Sequence, residues 1–197
     1  MQFSKAEKFL RKSDEKLKKI IDENGHLELI PDTKNQFDKL VGIVISQFIS
    51  TKASDSIFKN IKNEFSTDYL NENHFQELKI SEIKKMGLSQ NKARTIKELS
   101  ELYLNENNLD LTKIDDKKLK EILLSIFGIG PWSVKMFQIF SIGRQDIFSS
   151  KDAGLRLAMN DSGMIKPGSN WIKYFDYSKK WSPYRSTACL HLWKLVD

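Results

Sequence analysis

The chain has 197 residues, 40% of them hydrophobic and 29% charged, which suffices for one sizeable domain and excludes a multidomain machine. No apolar run approaches the ~18 residues that cross a bilayer, and Met1 to Glu7 lack the order of a secretion signal, so an intracellular protein is expected, in cytoplasm and nucleoid or in a nucleus. A single cysteine, Cys189, excludes an internal disulfide and a thiolate-held iron–sulfur cluster or structural zinc. The formal charge of +6 favours a polyanionic partner without requiring one. Four prolines and nine glycines form no linker, and no internal repeat is visible.

In chain order, Ser4 caps a first helix whose apolar positions Phe9, Leu10, Leu17, Ile20 and Ile21 carry it to about Asn24-Gly25. His26 to Pro31 reads as a connector. From Phe37 a wide helical stripe runs through Leu40, Val41, Val44, Ile45, Phe48 and Ile49. Ser50-Thr51 turns into an amphipathic helix over Ile57 to Phe65, and short helical pieces follow at Phe75 to Leu78 and Ser81 to Met86, with Gly87 as a stop. Ser89 caps a helix with Ala93, Ile96, Leu99 and Tyr103 on one face. Its start carries Lys92, Arg94 and Lys97, which oppose the helix dipole and read either as solvated surface or as phosphate contacts.

Asp115 or Asp116 caps the next helix, which holds Leu119, Ile122, Leu123 and Ile126 on one face. Then comes Phe127-Gly128-Ile129-Gly130-Pro131-Trp132-Ser133. The two glycines permit a tight hairpin whose N–H groups can approach phosphate, with Ile129 plugging into the core; a plain corner between helices is the alternative. Pro131 opens a largely apolar helix that reaches Ile142 and stops at Gly143. After a loop from Arg144 to Lys151, Asp152 begins another helix, where capping alone would explain an aspartate. The last helix is expected to start with Ser182 as cap and Pro183 as first residue.

Five motifs occur together and in order: Ile45 to Ser50, Met86 to Ser89 with Lys92-Ala93, Gly128 to Ser133, Asp152, and Trp181 to Ser186 continuing to Leu192-Trp193. By these the chain resembles the helix-hairpin-helix DNA glycosylases, and within them the alkylpurine branch of the 3-methyladenine DNA glycosylase II type, from about Phe37 to Trp193. The resemblance implies an all-α fold of two helical lobes, with a DNA-binding helix-hairpin-helix and an active cleft between the lobes. Residues 1–197 would form one such glycosylase domain, one lobe covering about 36–128 and the other about 1–35 with 129–197. The N-terminal β-domain of some relatives is not expected.

The resemblance also implies chemistry. A glycosylase must extrude a nucleotide to reach its glycosidic bond and fill the gap that remains. Phe48, beside Gln47, matches the wedge position, although on sequence alone its place on the apolar stripe favours a core residue. Asp152 matches the catalytic aspartate. Bond cleavage builds positive charge on the sugar, and a carboxylate at ~4 Å with an effective dielectric of ~20 would stabilise it by about 4 kcal/mol, roughly a thousandfold in rate. Lys151 departs from the acidic or small residue of relatives and would either support the charge of Asp152 or reach DNA phosphates. Strand-cutting relatives place a nucleophilic lysine two residues after the hairpin's second glycine. Here that residue is Trp132, so no lyase step is expected, and Lys135 is a poor substitute.

Trp132 and Trp193 match aromatic walls of the base pocket, suited to a cationic alkylated purine. Met136 replaces a larger aromatic and Tyr184 would compensate; core packing is the alternative for both tryptophans. Gly128, Gly130 and the Ser133 hydroxyl would anchor the DNA backbone without reading sequence. No metal or other cofactor is expected to be required, although hairpin carbonyls could hold a monovalent cation when DNA is bound. The implied reading is a monomeric, monofunctional glycosylase acting on duplex DNA with alkylated purines in base excision repair. A glycosylase for oxidised or deaminated bases, or a non-catalytic damage binder, stands as the alternative.

Overall fold

The computed structural model describes residues 3–106 and 109–196. All regular structure among these is helical: α1 (Lys5–Ser13), α2 (Glu15–Asn24), α3 (Gln36–Ser46), α4 (Thr51–Glu64), α5 (Asn73–Gln76), α6 (Ile80–Lys85), α7 (Gln90–Asn105), α8 (Asp116–Ser125), α9 (Pro131–Phe137), α10 (Ala153–Asp161), α11 (Trp171–Ser178) and α12 (Arg185–Trp193). A π-helical turn, Gln138–Ile142, continues α9, and a 3-10 turn, Lys179–Trp181, follows α11. Among the described residues no helix is long and apolar enough to cross a membrane.

Two compact units divide the chain, one running from Asp32 to Ile142 and the other combining the segment up to Pro31 with that from Gly143 onward. The second boundary falls at Gly143, whereas the sequence reading puts it near Gly128. The reason is packing: α9 and the π turn lie against α3, and α8 lies against α9, so the helix after the hairpin stays with the middle unit. In that unit α3 also packs on α4 and α7, and its stripe of Leu40, Val41, Val44 and Ile45 is buried with Ile96, Leu99 and Phe137. The other unit is built on Leu10, Leu17, Ile21, Leu155, Met159, Trp181 and Leu192. Complete burial of an aromatic such as Trp181 makes its truncation cost roughly 3–5 kcal/mol.

The single N-terminal helix expected from the sequence is two. Asp14 has extended backbone and its carboxylate accepts from the N–H groups of Lys16 and Leu17 at 3.0 and 3.3 Å, which starts α2 and ends α1. The other carboxylate oxygen accepts from Trp181 Nε1 at 2.9 Å and pairs with Lys180 Nζ at 3.0 Å. A tertiary partner thus breaks a continuous apolar period. At the opposite end, α12 starts at Arg185, not at Pro183, because the Ser182 hydroxyl donates to Asp146 Oδ2 at 2.8 Å and caps nothing; the Ser182–Pro183 peptide is cis. Helix α11, capped by Asn170, is an element that the sequence reading does not include.

Glu7 is fully buried yet ionised. Burial pushes its carboxyl up, but the N–H groups of Leu27 and Ser4 and the His26 ring outweigh that and bring it from an ordinary 4.5 to about 2. His191 Nε2 stands 3.3 Å from Glu7 Oε1 without hydrogen-bond alignment, and burial lowers its pKa while Glu7 opposes that. A carboxyl whose folded pKa lies below its unfolded one stabilises the fold above pH 4.5 and ceases to do so as pH falls towards 2. Urea melts should therefore show Glu7→Gln less stable than wild type at neutral pH, by at most about 3 kcal/mol. The difference should shrink between pH 4.5 and 2, and a constant difference across that window would refute the assignment.

Candidate functional site

In the Asp32–Ile142 unit, α8 ends at Ser125 and the chain turns through Ile126, Phe127 and Gly128 before α9. Gly128 has φ +78, and a Cβ there would lie 2.2 Å from Thr95 Oγ1, so both backbone conformation and space demand glycine. Ile129 is buried as expected, and Gly130 opens on free space. The hairpin is braced from α3: Gln47 Nε2 donates to the Gly128 carbonyl at 3.0 Å and to Ser133 Oγ at 2.9 Å. Gln47 is therefore a strut between two loops, where the sequence reading sets it beside a DNA wedge. Ser133 is only 2% exposed and its hydroxyl is turned to Gln47, so the structure does not present it outward for the phosphate contact expected from the sequence.

Helix α3 stops at Ser46, and Gln47 to Ile49 form a turn closed by Ser50, which caps α4. Phe48 consequently leaves the apolar stripe altogether. It has φ 59 and is 103% exposed, which overturns the core alternative and leaves a large apolar ring projecting into solvent from a left-handed residue. The turn is held by Lys92, whose Nζ donates to the Ile45 carbonyl at 2.7 Å while burial lowers its pKa. Lys97 bonds the Phe75 and Gln76 carbonyls, and Arg94 pairs with Glu98 at 2.8 Å and covers the Phe127 ring. At the basic start of α7, Lys92 and Lys97 thus tie down neighbouring chain segments, while Arg94 stays exposed with its partner Glu98 on the same helix.

Trp132 sits half-buried at the second position of α9, and Met136, 4% exposed, belongs to the core of the same unit. The other candidates lie in the second unit. Asp152 is 7% exposed and caps α10, its Oδ1 accepting from the Leu155 N–H at 2.8 Å and from Trp193 Nε1 at 3.0 Å. The loop before it is pinned to the start of α12. Ser186 Oγ donates to the Arg144 carbonyl at 2.6 Å and accepts from the Ile147 N–H at 3.0 Å, while Arg185 holds Asp146 through Nε at 2.6 Å and Nη2 at 3.0 Å. Burial raises the Asp146 pKa, but Arg185 and Ser182 bring it below the ordinary range.

Tyr184 packs edge-on against Phe9 with ring centroids 5.4 Å apart. Lys151 is exposed, with Nζ 5.4 Å from the centre of the Trp171 ring. Sequence reasoning missed Thr95, the Lys92 brace and the Asp146–Arg185 pair. Only Thr95 carried a signal, as a β-branched residue on the buried face of α7. Among the described residues no cluster of His, Cys, Asp or Glu could hold a metal ion.

By architecture, an all-α chain that joins two helices through a glycine hairpin is a helix-hairpin-helix protein. Residues 41–183 match the family described as HhH-GPD superfamily base excision DNA repair protein, and the chain belongs to that superfamily. A DNA-3-methyladenine glycosylase of Saccharomyces cerevisiae is 29% identical, over 85% of this chain and 69% of its own length. An alkylbase DNA glycosidase-like protein of Schizosaccharomyces pombe is 25% identical over 98% and 93%. In fold, the chain is similar to the 3-methyladenine DNA glycosylase of Schizosaccharomyces pombe solved in complex with abasic DNA, with TM-score 0.87, 24% identity and coverage of 97% and 96%. A DNA-3-methyladenine glycosidase structure from Bacillus halodurans gives TM-score 0.75 at 27% identity, covering 97% and 88%.

The fit of Gly128 against Thr95 is testable without DNA. Gly128→Ala should lose roughly 2–3 kcal/mol in denaturant melts, from a left-handed residue that costs about 1–2 kcal/mol and from the overlap. Adding Thr95→Ala should restore the overlap part and leave the conformational part. A double variant no more stable than Gly128→Ala would show that the overlap is relieved some other way.

Proposed function

We propose that the chain is a monofunctional DNA glycosylase that extrudes alkylated purines such as 3-methyladenine from duplex DNA and hydrolyses their N-glycosidic bond in base excision repair. The observation that carries this reading is the Asp152 carboxylate, held by a backbone N–H and an indole N–H on a pinned loop, within a chain of this superfamily. The curated relatives named as 3-methyladenine glycosylases support the alkylated-purine class.

Each residue then has a physical task. Phe48 enters the base stack, where its exposed ring gives up no packing within the protein and replaces the stacking of the extruded base. The hairpin backbone at exposed Gly128 and half-buried Gly130 takes phosphate oxygens. Trp132 and Trp193 offer aromatic faces to a base that alkylation makes cationic, which favours binding and departure together. As the glycosidic bond breaks, its electron pair leaves with the purine, positive charge grows on the sugar, and Asp152 stabilises that charge more than the neutral ground state. Water supplies the hydroxyl at the sugar carbon and its proton is released. Trp132 has no amine to attack the sugar, so the product is an intact strand with an abasic site.

No cofactor takes part in these steps. The Gly128 carbonyl already accepts one bond from Gln47 and keeps a second lone pair, which suits a weakly held monovalent cation beside bound phosphate. The protein works as a monomer on damaged duplex DNA.

Wild type and Asp152→Asn incubated with methylated DNA test the reaction, with released 3-methyladenine and 7-methylguanine measured by chromatography. Release by wild type with at least a hundredfold loss in the variant is expected. Tight duplex binding with no release by wild type would point to another lesion class or a damage binder. Borohydride should trap no covalent adduct. Phe48→Ala should leave stability within about 0.5 kcal/mol of wild type while weakening abasic-DNA binding about tenfold; unchanged affinity and turnover would remove Phe48 from the wedge role.

A further inference from the structure

Gly154 is the second residue of α10, two positions after the Asp152 cap. Glycine is a poor choice there, since alanine would favour the helix, and it lacks the left-handed φ that demands glycine at Gly128. What it leaves room for is specific. A Cβ at Gly154 would lie 3.3 Å from Trp193 Cδ1, 3.4 Å from Asp152 Oδ1 and 3.6 Å from Trp193 Nε1. Two of these atoms, Trp193 Nε1 and Asp152 Oδ1, are the donor and acceptor of one hydrogen bond, 3.0 Å long.

We infer that Gly154 is a positioning residue, whose missing side chain lets the Trp193 indole seat its N–H on the Asp152 carboxylate and so fixes how that carboxylate is presented. This rests on the reading of Asp152 as the catalytic carboxylate. Of the two neighbours that an added methyl would press, Asp152 is the less able to yield, because the Leu155 N–H holds the same Oδ1 at 2.8 Å through the helix backbone. The half-buried indole on α12 gives way instead, and a hydrogen bond weakens steeply once it lengthens or bends. Both N–H groups converge on Oδ1, so the helix start and the indole together set the direction in which that oxygen is held, and losing the indole bond loosens that setting. Trp193 is then more than an aromatic wall: its ring edge aims the carboxylate.

The test compares Gly154→Ala, Trp193→Phe, the double variant and Asp152→Asn. Four readouts apply: thermal melting, abasic-DNA affinity, single-turnover excision from methylated DNA, and the indole N–H resonance that Trp193→Phe removes. Gly154→Ala should melt at or above the wild-type temperature and bind abasic DNA within twofold of wild type. It should excise about tenfold more slowly, as expected for a weakened hydrogen bond to a charged group, and move the Trp193 indole N–H resonance upfield. Trp193→Phe, which keeps a ring but lacks the donor, should slow excision at least as much. The double variant should be no slower than Trp193→Phe, because both changes remove one bond.

A wild-type rate and unmoved resonance in Gly154→Ala, or losses that multiply in the double variant, would overturn the inference. Wild-type excision by Asp152→Asn would instead overturn the reading beneath it, whatever the resonance shows.

Discussion

The hydrogen bond from the Leu155 N–H to Asp152 Oδ1 joins the stability of the second unit to the chemistry proposed for that carboxylate. A helix start leaves N–H groups without partners, and an aspartate at the cap supplies one. That bond sets the carboxylate against a rigid element and not against another mobile side chain. Helix α10 is in turn fixed by Leu155, Ala158 and Met159 in the core, and the preceding loop by Asp146, Arg185 and Ser186. Moving the carboxylate would require repacking a helix, which is the kind of preorganisation that electrostatic catalysis needs. The bland and the functional readings of Asp152 therefore do not compete: one oxygen caps a helix, and the cap is what holds the group still.

The hairpin unit applies the same economy to backbone. Gly128 takes a left-handed turn in contact with Thr95, Ile129 plugs the core, and Gln47 braces the loop from α3. Polar side chains near the turn are engaged internally, which leaves the exposed main chain facing outward. Phe48 is the exception. A phenylalanine that the period of α3 could have buried stands in solvent with positive φ, a combination that costs the free protein and gains nothing within its own unit. Such an expense at one residue, between the end of α3 and the Ser50 cap of α4, accords with the wedge role proposed for Phe48.

The sequence was most legible where the local signal was also the tertiary one. Ser4, Ser50, Ser89, Asp115 and Asp152 all accept the first-turn bonds that their residue types favour, and the Gly-x-Gly-Pro stretch makes the expected hairpin. It was least legible where a distant partner overruled a local pattern. Asp14 breaks an apolar period because Trp181 and Lys180 hold its second oxygen, and Ser182 abandons a cap for Asp146. Neither partner is near in sequence, so no window of residues could have revealed them. Phe48 misled in the opposite direction: a residue at a buried phase of the helix lies just past its end, and the end is set by the turn that Lys92 secures.

Charge shows the same division between composition and structure. A net charge of +6 suggests a surface prepared for a polyanion, yet many of the cations most visible in the sequence have partners inside the fold. Lys92 and Lys97 bond carbonyls, Arg94 pairs with Glu98, Lys62 with Asp38, Lys180 with Asp14 and Arg185 with Asp146. The cations paired with carboxylates contribute little field at a distance, because each is compensated within a few ångströms, well inside the ~8–10 Å over which salt screens exposed charges, whereas Lys92 and Lys97, on neutral carbonyls, keep their charge. On the proposed reading, affinity for a phosphate backbone draws on main-chain donors at the hairpin as well as on the cations that no carboxylate compensates. Binding built this way depends on where backbone is exposed, and glycine decides that at Gly128 as it decides the approach of an indole at Gly154.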